Sequence, residues 1–178
     1  MKSYKLLREA IINEGILINK KTFRRGDLVK VAGTRDTNVY FIISGSVKVY
    51  FINNDEERIL YFGYDESIIT ALDSFISNSN SKIEIKAIKK TEVYCLAKED
   101  FEIFLNSNMA YLKLWNQVLG DIILYQFQRE QELLLNSPEE RFSRALERNP
   151  DIFQKIPNKH IASYLRMAPE TLSRLKKS

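Results

Sequence analysis

The chain has 178 residues, room for one large domain or two small ones, and its 44% apolar content is enough for a packed core. Six glycines and four prolines leave no low-complexity segment, and the apolar stretches are short and broken by charge, so no membrane span is expected. One cysteine (Cys95) and one histidine (His160) exclude an internal disulfide and offer few ligands for a metal or haem.

The net charge of +4 becomes informative once it is divided along the chain. Residues 1–136 carry 18 Lys/Arg and 18 Asp/Glu, whereas residues 137–178 carry nine against five, so the whole surplus sits in the last quarter. A neutral body with a basic end is the electrostatic footprint of a phosphate-binding tail, although a solvated basic helix would give the same count.

In chain order, residues 1–19 read as a short helix with Leu6, Leu7, Ala10 and Ile11 on one face and Gly15 as its stop. Lys2, Lys5, Arg8 and Glu9 make this start unlike a secretory signal, and a cytoplasmic location is expected. Residues 20–100 then alternate like strands: 39–43, 46–51, 57–62, 83–88 and 92–96 are β-branched and aromatic runs. Turn clusters separate them at Arg25-Gly26-Asp27, Gly33, Ser44-Gly45 and Asn53-Asn54-Asp55, the last being the clearest hairpin. Many short strands at this spacing predict a closed or sandwiched antiparallel architecture.

After Lys98 the period becomes helical. Met109 to Leu135 runs without proline, and Leu112, Trp115, Leu119, Ile122, Gln126, Arg129 and Leu133 recur at spacings of three and four. A core-facing amphipathic helix would show the same stripe. The length, about 40 Å at the usual rise per residue, favours a self-associating helix with this stripe as its dimer seam. Ser137 then fits a helix cap and Pro138 a first turn, with Glu139 and Glu140 beside the positive dipole end.

Residues 158–177 read as two short helices around a tight turn. Ile161, Ala162 and Leu165 mark the first, Leu172 and Leu175 the second, and Ala162 is small enough for a close crossing. Pro169 opens the second helix, and Glu170, Thr171, Ser173, Arg174, Lys176 and Lys177 make its outer face polar and basic. Such a helix suits the major groove of double-stranded DNA, and two of them on a dimer would read half-sites about one turn apart.

The chain resembles the Crp/Fnr family of cyclic-nucleotide-binding-like regulators, with Bacteroidetes-type features in its last segment. The resemblance rests on Phe23-Arg24-Arg25-Gly26-Asp27, on residues 39–47 (VYFIISGSV), on the long helix, and on Ile161-Ala162-Ser163-Tyr164-Leu165 with residues 169–174 (PETLSR). It implies an α+β fold in three parts: a jelly-roll effector domain with an N-terminal helix over 1–107, a dimerisation helix over 108–136, and a helix-turn-helix over 137–178. It also implies a homodimer that binds DNA and works with RNA polymerase. Carried over by position, Glu170 and Arg174 match base-reading positions and Thr171 a phosphate contact. Pro169 stands where the best-known members place another arginine, and Arg166 occupies a turn site usually held by glycine. The sequence stops one residue after Lys176-Lys177, so the β wing that often follows is expected to be missing.

The family's cyclic-nucleotide binders supply a Gly-Glu pair and, later, an arginine followed by a hydroxyl residue. Glu66 without the glycine, and Ser81 with Lys82, are the candidate equivalents here. Lysine meets phosphate as a point charge, without arginine's bidentate fork. Ordinary cyclic-AMP binding is therefore not expected, and the effector is left as a cyclic nucleotide or another small anion. Cys95, within an apolar strand, reads as packing rather than as a cluster ligand. His160 reads as a surface or DNA-backbone residue. No phosphate loop, zinc-protease helix or nucleophile–base pairing points to an enzyme. The rival reading is a sensor or interaction module of the same fold that does not bind DNA.

Overall fold

The computed structural model describes residues 2–16 and 19–177. Met1, Leu17, Ile18 and Ser178, the first three of them within the expected helix over 1–19, lie outside the described residues. Helix α1 (Lys2–Asn13) precedes strands β1 (Lys20–Phe23), β2 (Leu28–Lys30), β3 (Val39–Ser44), β4 (Ser46–Asn53), β5 (Glu56–Tyr64) and β6 (Ile68–Ile69). A short α2 (Leu72–Ser77) leads to β7 (Glu84–Ala87) and β8 (Thr91–Leu96). Then come α3 (Lys98–Ser107), α4 (Met109–Leu133), α5 (Pro138–Arg148), α6 (Ile152–Lys155), α7 (Asn158–Tyr164) and α8 (Pro169–Leu175). The class is α+β, as the sequence implies.

The strands form two antiparallel four-stranded sheets, ordered β1-β8-β3-β6 and β2-β7-β4-β5. Strand β3 shows why the apolar run over 39–43 is nearly continuous. Val39 and Phe41 face a core shared with α1, α3 and α4, while Tyr40 and Ile42 face the space between the sheets with Val47, Val49 and Cys95. Both faces are buried, so period two is masked by hydrophobicity on each side.

The hairpin between β4 and β5 turns at Asn54 (φ 50°) and Asp55 (φ 60°), the paired left-handed conformation that Asn and Asp tolerate. Gly45 has φ 97°, and a Cβ there would meet the Lys90 carbonyl oxygen at 2.3 Å, so glycine is required. The β4–β5 register shifts from Val49 opposite Tyr61 to Tyr50 opposite Ile59. Leu60 is thus an extra residue, a β-bulge.

Most of the α4 stripe expected as a dimer seam packs on the protomer's own body. Trp115 packs edge-on against Phe75 and Phe101, Leu119 and Ile122 pack on the same core, and Leu112 is half-buried. Arg129 is 7% exposed and bonds to β5, whereas Gln126 is exposed. The free apolar stripe is the next one around the helix: Ile123, Leu124, Phe127 and Leu134 are 59–77% exposed, and a Cβ at Gly120 would meet nothing within 4 Å. Apolar spacing of three and four fits either stripe, and the difference is about one residue, or 100° of rotation.

The tail packs on the outer face of the second sheet. Tyr50, Ile59, Phe62 and Ile88 form one buried cluster with Ala145, Ile152, Ile156, Ile161, Tyr164 and Leu172. Tyr64 Oη donates to Asn149 Oδ1 at 3.0 Å, and Lys89 Nζ donates to the Lys155 carbonyl at 3.0 Å along the same boundary.

Candidate nucleic-acid interface

Helix α5 starts as its sequence requires: Ser137 Oγ accepts from the Glu140 N–H, with Pro138 in the first turn. The side chain that organises the tail is Arg141, a role that no sequence motif marks. Its Nε donates to the Leu165 carbonyl at 3.0 Å and its Nη2 to that of Arg166 at 3.3 Å. Its Nη1 donates to the Leu135 and Asn136 carbonyls at 2.6 and 3.2 Å. One guanidinium therefore satisfies carbonyls at the end of α4 and at the end of α7, where a helix leaves acceptors open.

Between α7 and α8 the chain turns at Arg166 with φ 52°. The glycine-type site is thus left-handed here, and a side chain in that conformation costs about 1 kcal/mol. Ala162 (1% exposed) lies at the crossing, and its carbonyl accepts from Met167 N–H at 3.0 Å. Leu172, fully buried, anchors α8 against α7.

This anchoring leaves Glu170, Ser173, Arg174 and Lys177 exposed. They stand at i, i+3, i+4 and i+7, which places them along one face. Thr171 is half-buried at the edge of that stripe. Lys176 is exposed but tied back: its Nζ donates to Asn158 Oδ1 at 2.9 Å and approaches the Phe153 carbonyl at 3.4 Å. Its acceptors are neutral, so the positive charge stays on the surface.

His160 is half-buried rather than on an open surface. Burial, with Lys48 and Lys159 adding to it, pushes its imidazole down to about 4. Lys48 itself is ion-paired with Glu57. Neutral His160 thus belongs to the boundary between the tail and β4–β5.

The three residues proposed for an effector differ in their local settings. Glu66 is exposed in a left-handed turn (φ 70°), and its N–H donates to the Ile42 carbonyl. Ser81 is buried, with its hydroxyl accepting from Ile83 N–H at 2.9 Å, and Lys82 is exposed. Ser81 is bridged instead to Thr34 and Gly33 through the backbone. The cation beside it is Lys30, 2% exposed, whose ammonium donates to the carbonyls of Val31, Ser81 and Ile83 at 3.0, 2.9 and 2.5 Å. All three donors are thereby used, and burial pulls this amine below its ordinary value. Lys30 is thus committed to backbone carbonyls and offers no free donor to a phosphate. Cys95 is buried and its thiol is pushed up by burial, consistent with packing.

A cleft of about 590 Å³ lies where β4, β5, α4 and α7 converge, lined by Arg58, Gln126, Arg129, Ser163, Tyr164 and Arg166 among others. Among the described residues no group of three or more His, Cys, Asp or Glu is placed to hold a metal, and no helix is long and apolar enough to cross a membrane.

Comparison with known proteins bears on this geometry. Residues 20–108 match the family model described as the cyclic nucleotide-binding domain. The search of curated proteins finds no match. FixK2 from Bradyrhizobium japonicum superposes with TM-score 0.74 at 18% identity, over 89% of this chain and 82% of that one. A CooA mutant from Carboxydothermus hydrogenoformans gives 0.71 at 18%, over 97% and 77%. CLP from Xanthomonas campestris, described as a c-di-GMP responsive global regulator, gives 0.68 at 14%, over 96% and 90%. The chain belongs to the cyclic nucleotide-binding domain family, and its fold is that of the Crp/Fnr regulators.

Proposed function

We propose that this protein is a homodimeric, DNA-binding transcription regulator. Residues 1–107 serve as effector domain, 108–136 as dimerisation helix and 137–178 as DNA-binding domain. The observation that carries this reading is the exposed stripe Glu170, Ser173, Arg174 and Lys177, backed by the buried Leu172. Early residues of such a helix reach base edges, while Lys176 and Lys177 lie where phosphates run. The regulators of similar fold support the same reading. RNA polymerase is the further partner that regulation of this kind implies.

Dimerisation is assigned to the outer stripe of α4. Ile123, Leu124, Phe127 and Leu134 would otherwise expose a row of large apolar groups to water, and burying each is worth about 1.5–3 kcal/mol. The effector in this reading is a cyclic nucleotide or another small anion, with ordinary cyclic AMP not expected because Lys82 stands where an arginine would make the bidentate contact.

Two substitutions test the DNA reading on a duplex selected by the protein. Arg174→Ala lowers discrimination between right and wrong sequences by about 1–3 kcal/mol, while Lys177→Ala weakens all sequences alike. Equal, sequence-independent effects of both would remove base reading from Arg174. Absence of any DNA binding would favour a sensor or interaction module.

A further inference from the structure

Arg129 stands where three parts of the chain meet. From α4 its Nε donates to the Leu60 carbonyl at 2.9 Å and its Nη2 to the Ile59 carbonyl at 2.7 Å. These are the carbonyls of the β5 bulge, where Leu60 is the extra residue. The same guanidinium lies 3.8 Å from the centroid of the Tyr164 ring in α7. Tyr164 is 1% exposed, and its ring also packs on Phe62 of β5 at 5.2 Å.

As a stabiliser this is a poor choice. Among the described residues no carboxylate lies within ion-pair distance of Arg129, because Glu132 is occupied on both oxygens by Arg148. Arg129 Nη1 is buried with no hydrogen-bond partner among the described residues. An apolar side chain of similar volume would avoid the cost of burying that charge. What the guanidinium supplies and an apolar chain does not is direction: two N–H groups at a fixed angle and a flat face for stacking. It locks the rotation of α7 about α4, with β5 as the reference.

Resting on the DNA-binding reading above, we propose that Arg129 is a positioning residue that sets the angle of the helix-turn-helix against the dimerisation helix. It thereby sets the half-site spacing that the dimer accepts. One base pair of spacing moves a half-site by about 3.4 Å and rotates it by about 35°, so a small rotation of α7 carries α8 out of register.

The test uses the full chain as wild type, Arg129→Met and Arg129→Lys. Duplexes are selected from a random library with the wild type, then rebuilt with one base pair added or removed between half-sites. Wild type is expected to bind the altered spacings about tenfold or more weakly, Arg129→Met to bind all spacings within about threefold, and Arg129→Lys to fall between. Sedimentation and thermal melting establish that each variant is a folded dimer. Should Arg129→Met unfold, Tyr164→Leu removes the stacking face while leaving the bonds to β5, and is expected to relax spacing likewise. A folded, dimeric variant that keeps the wild-type spacing preference overturns the inference. A wild type that selects no sequence overturns the DNA-binding reading itself, and with it this one.

Discussion

Arg148 donates from Nε and Nη2 to the two carboxylate oxygens of Glu132 at 2.6 and 2.7 Å, joining the first helix of the tail to the last turns of α4. Both side chains are buried. Arg148 Nη2 also donates to Tyr164 Oη at 3.1 Å, and its guanidinium lies 4.2 Å from the Tyr125 ring centroid. Burial alone would lower this arginine. Its bonds to Glu132 and its proximity to Tyr164 and Tyr125 more than offset that and hold it above the ordinary value.

Glu132→Ala leaves Arg148 and Arg129 as neighbouring buried cations with no carboxylate between them. A loss of about 3–5 kcal/mol is expected, read as a drop in the urea midpoint at unchanged slope. A midpoint within error of wild type would contradict the role assigned to the pair.

The two stripes of α4 separate folding from assembly. Phe127→Asp alters an exposed position of the protomer and is expected to give a folded monomer by sedimentation equilibrium. Trp115→Ala empties a core position among Phe75 and Phe101, and is expected to cost about 3–5 kcal/mol whatever the oligomeric state. If Phe127→Asp remains a dimer, the outer stripe is not the interface.

Much of this fold was legible in the sequence, and its limits have physical causes. Strands β3, β4, β5, β7 and β8 carry the β-branched runs, the Asn54-Asp55 turn announces its hairpin, and Ser137-Pro138 announces α5. Strands β1, β2 and β6 carry no such signal, since Lys20-Lys21-Thr22-Phe23, Leu28-Val29-Lys30 and a pair of isoleucines are too short to show a period. Apolar spacing on α4 shows that a face is buried without showing what covers it, and Trp115, Leu119 and Ile122 are covered by the protomer itself. The bonds of Arg141 to Leu165 and Arg166, of Lys30 to Ser81 and Ile83, and of Arg129 to Ile59 and Leu60 reach carbonyls distant in sequence, so nothing local shows them. The exposed stripe on α8 was legible because Leu172 and Leu175 fix which side of so short a helix faces inward.

The turn between α7 and α8 holds a side chain in a left-handed conformation at Arg166. Arg166→Gly relieves that conformation while giving the unfolded chain more freedom, so a net gain below about 1 kcal/mol is expected. Arg166→Val, β-branched at the same φ, is expected to lose about 1 kcal/mol or more. Chemical denaturation of the two variants orders them; Val at or above Gly would contradict the strain.

His160 gives the tail boundary a pH dependence. Its folded value, pushed to about 4, lies below the unfolded value of about 6.5. Above that range the imidazole is neutral in both states and contributes no slope. As pH falls from about 6.5 toward 4, the unfolded chain takes up the proton first, so stability declines across that window. His160→Gln is expected to lose this part of the slope, read as the difference between the two proteins' denaturation curves at pH 7 and pH 5. Parallel curves would place the imidazole in open solvent.

The most direct test of gene control by this chain is the affinity of the wild-type dimer for mixed-sequence genomic DNA, followed by fluorescence anisotropy across a range of salt concentrations. With Lys176 and Lys177 neutralising phosphates on each of two protomers, the logarithm of affinity should fall linearly with the logarithm of salt, with a slope of about −3 to −4. Binding that is absent at low salt, or that ignores salt, would contradict it.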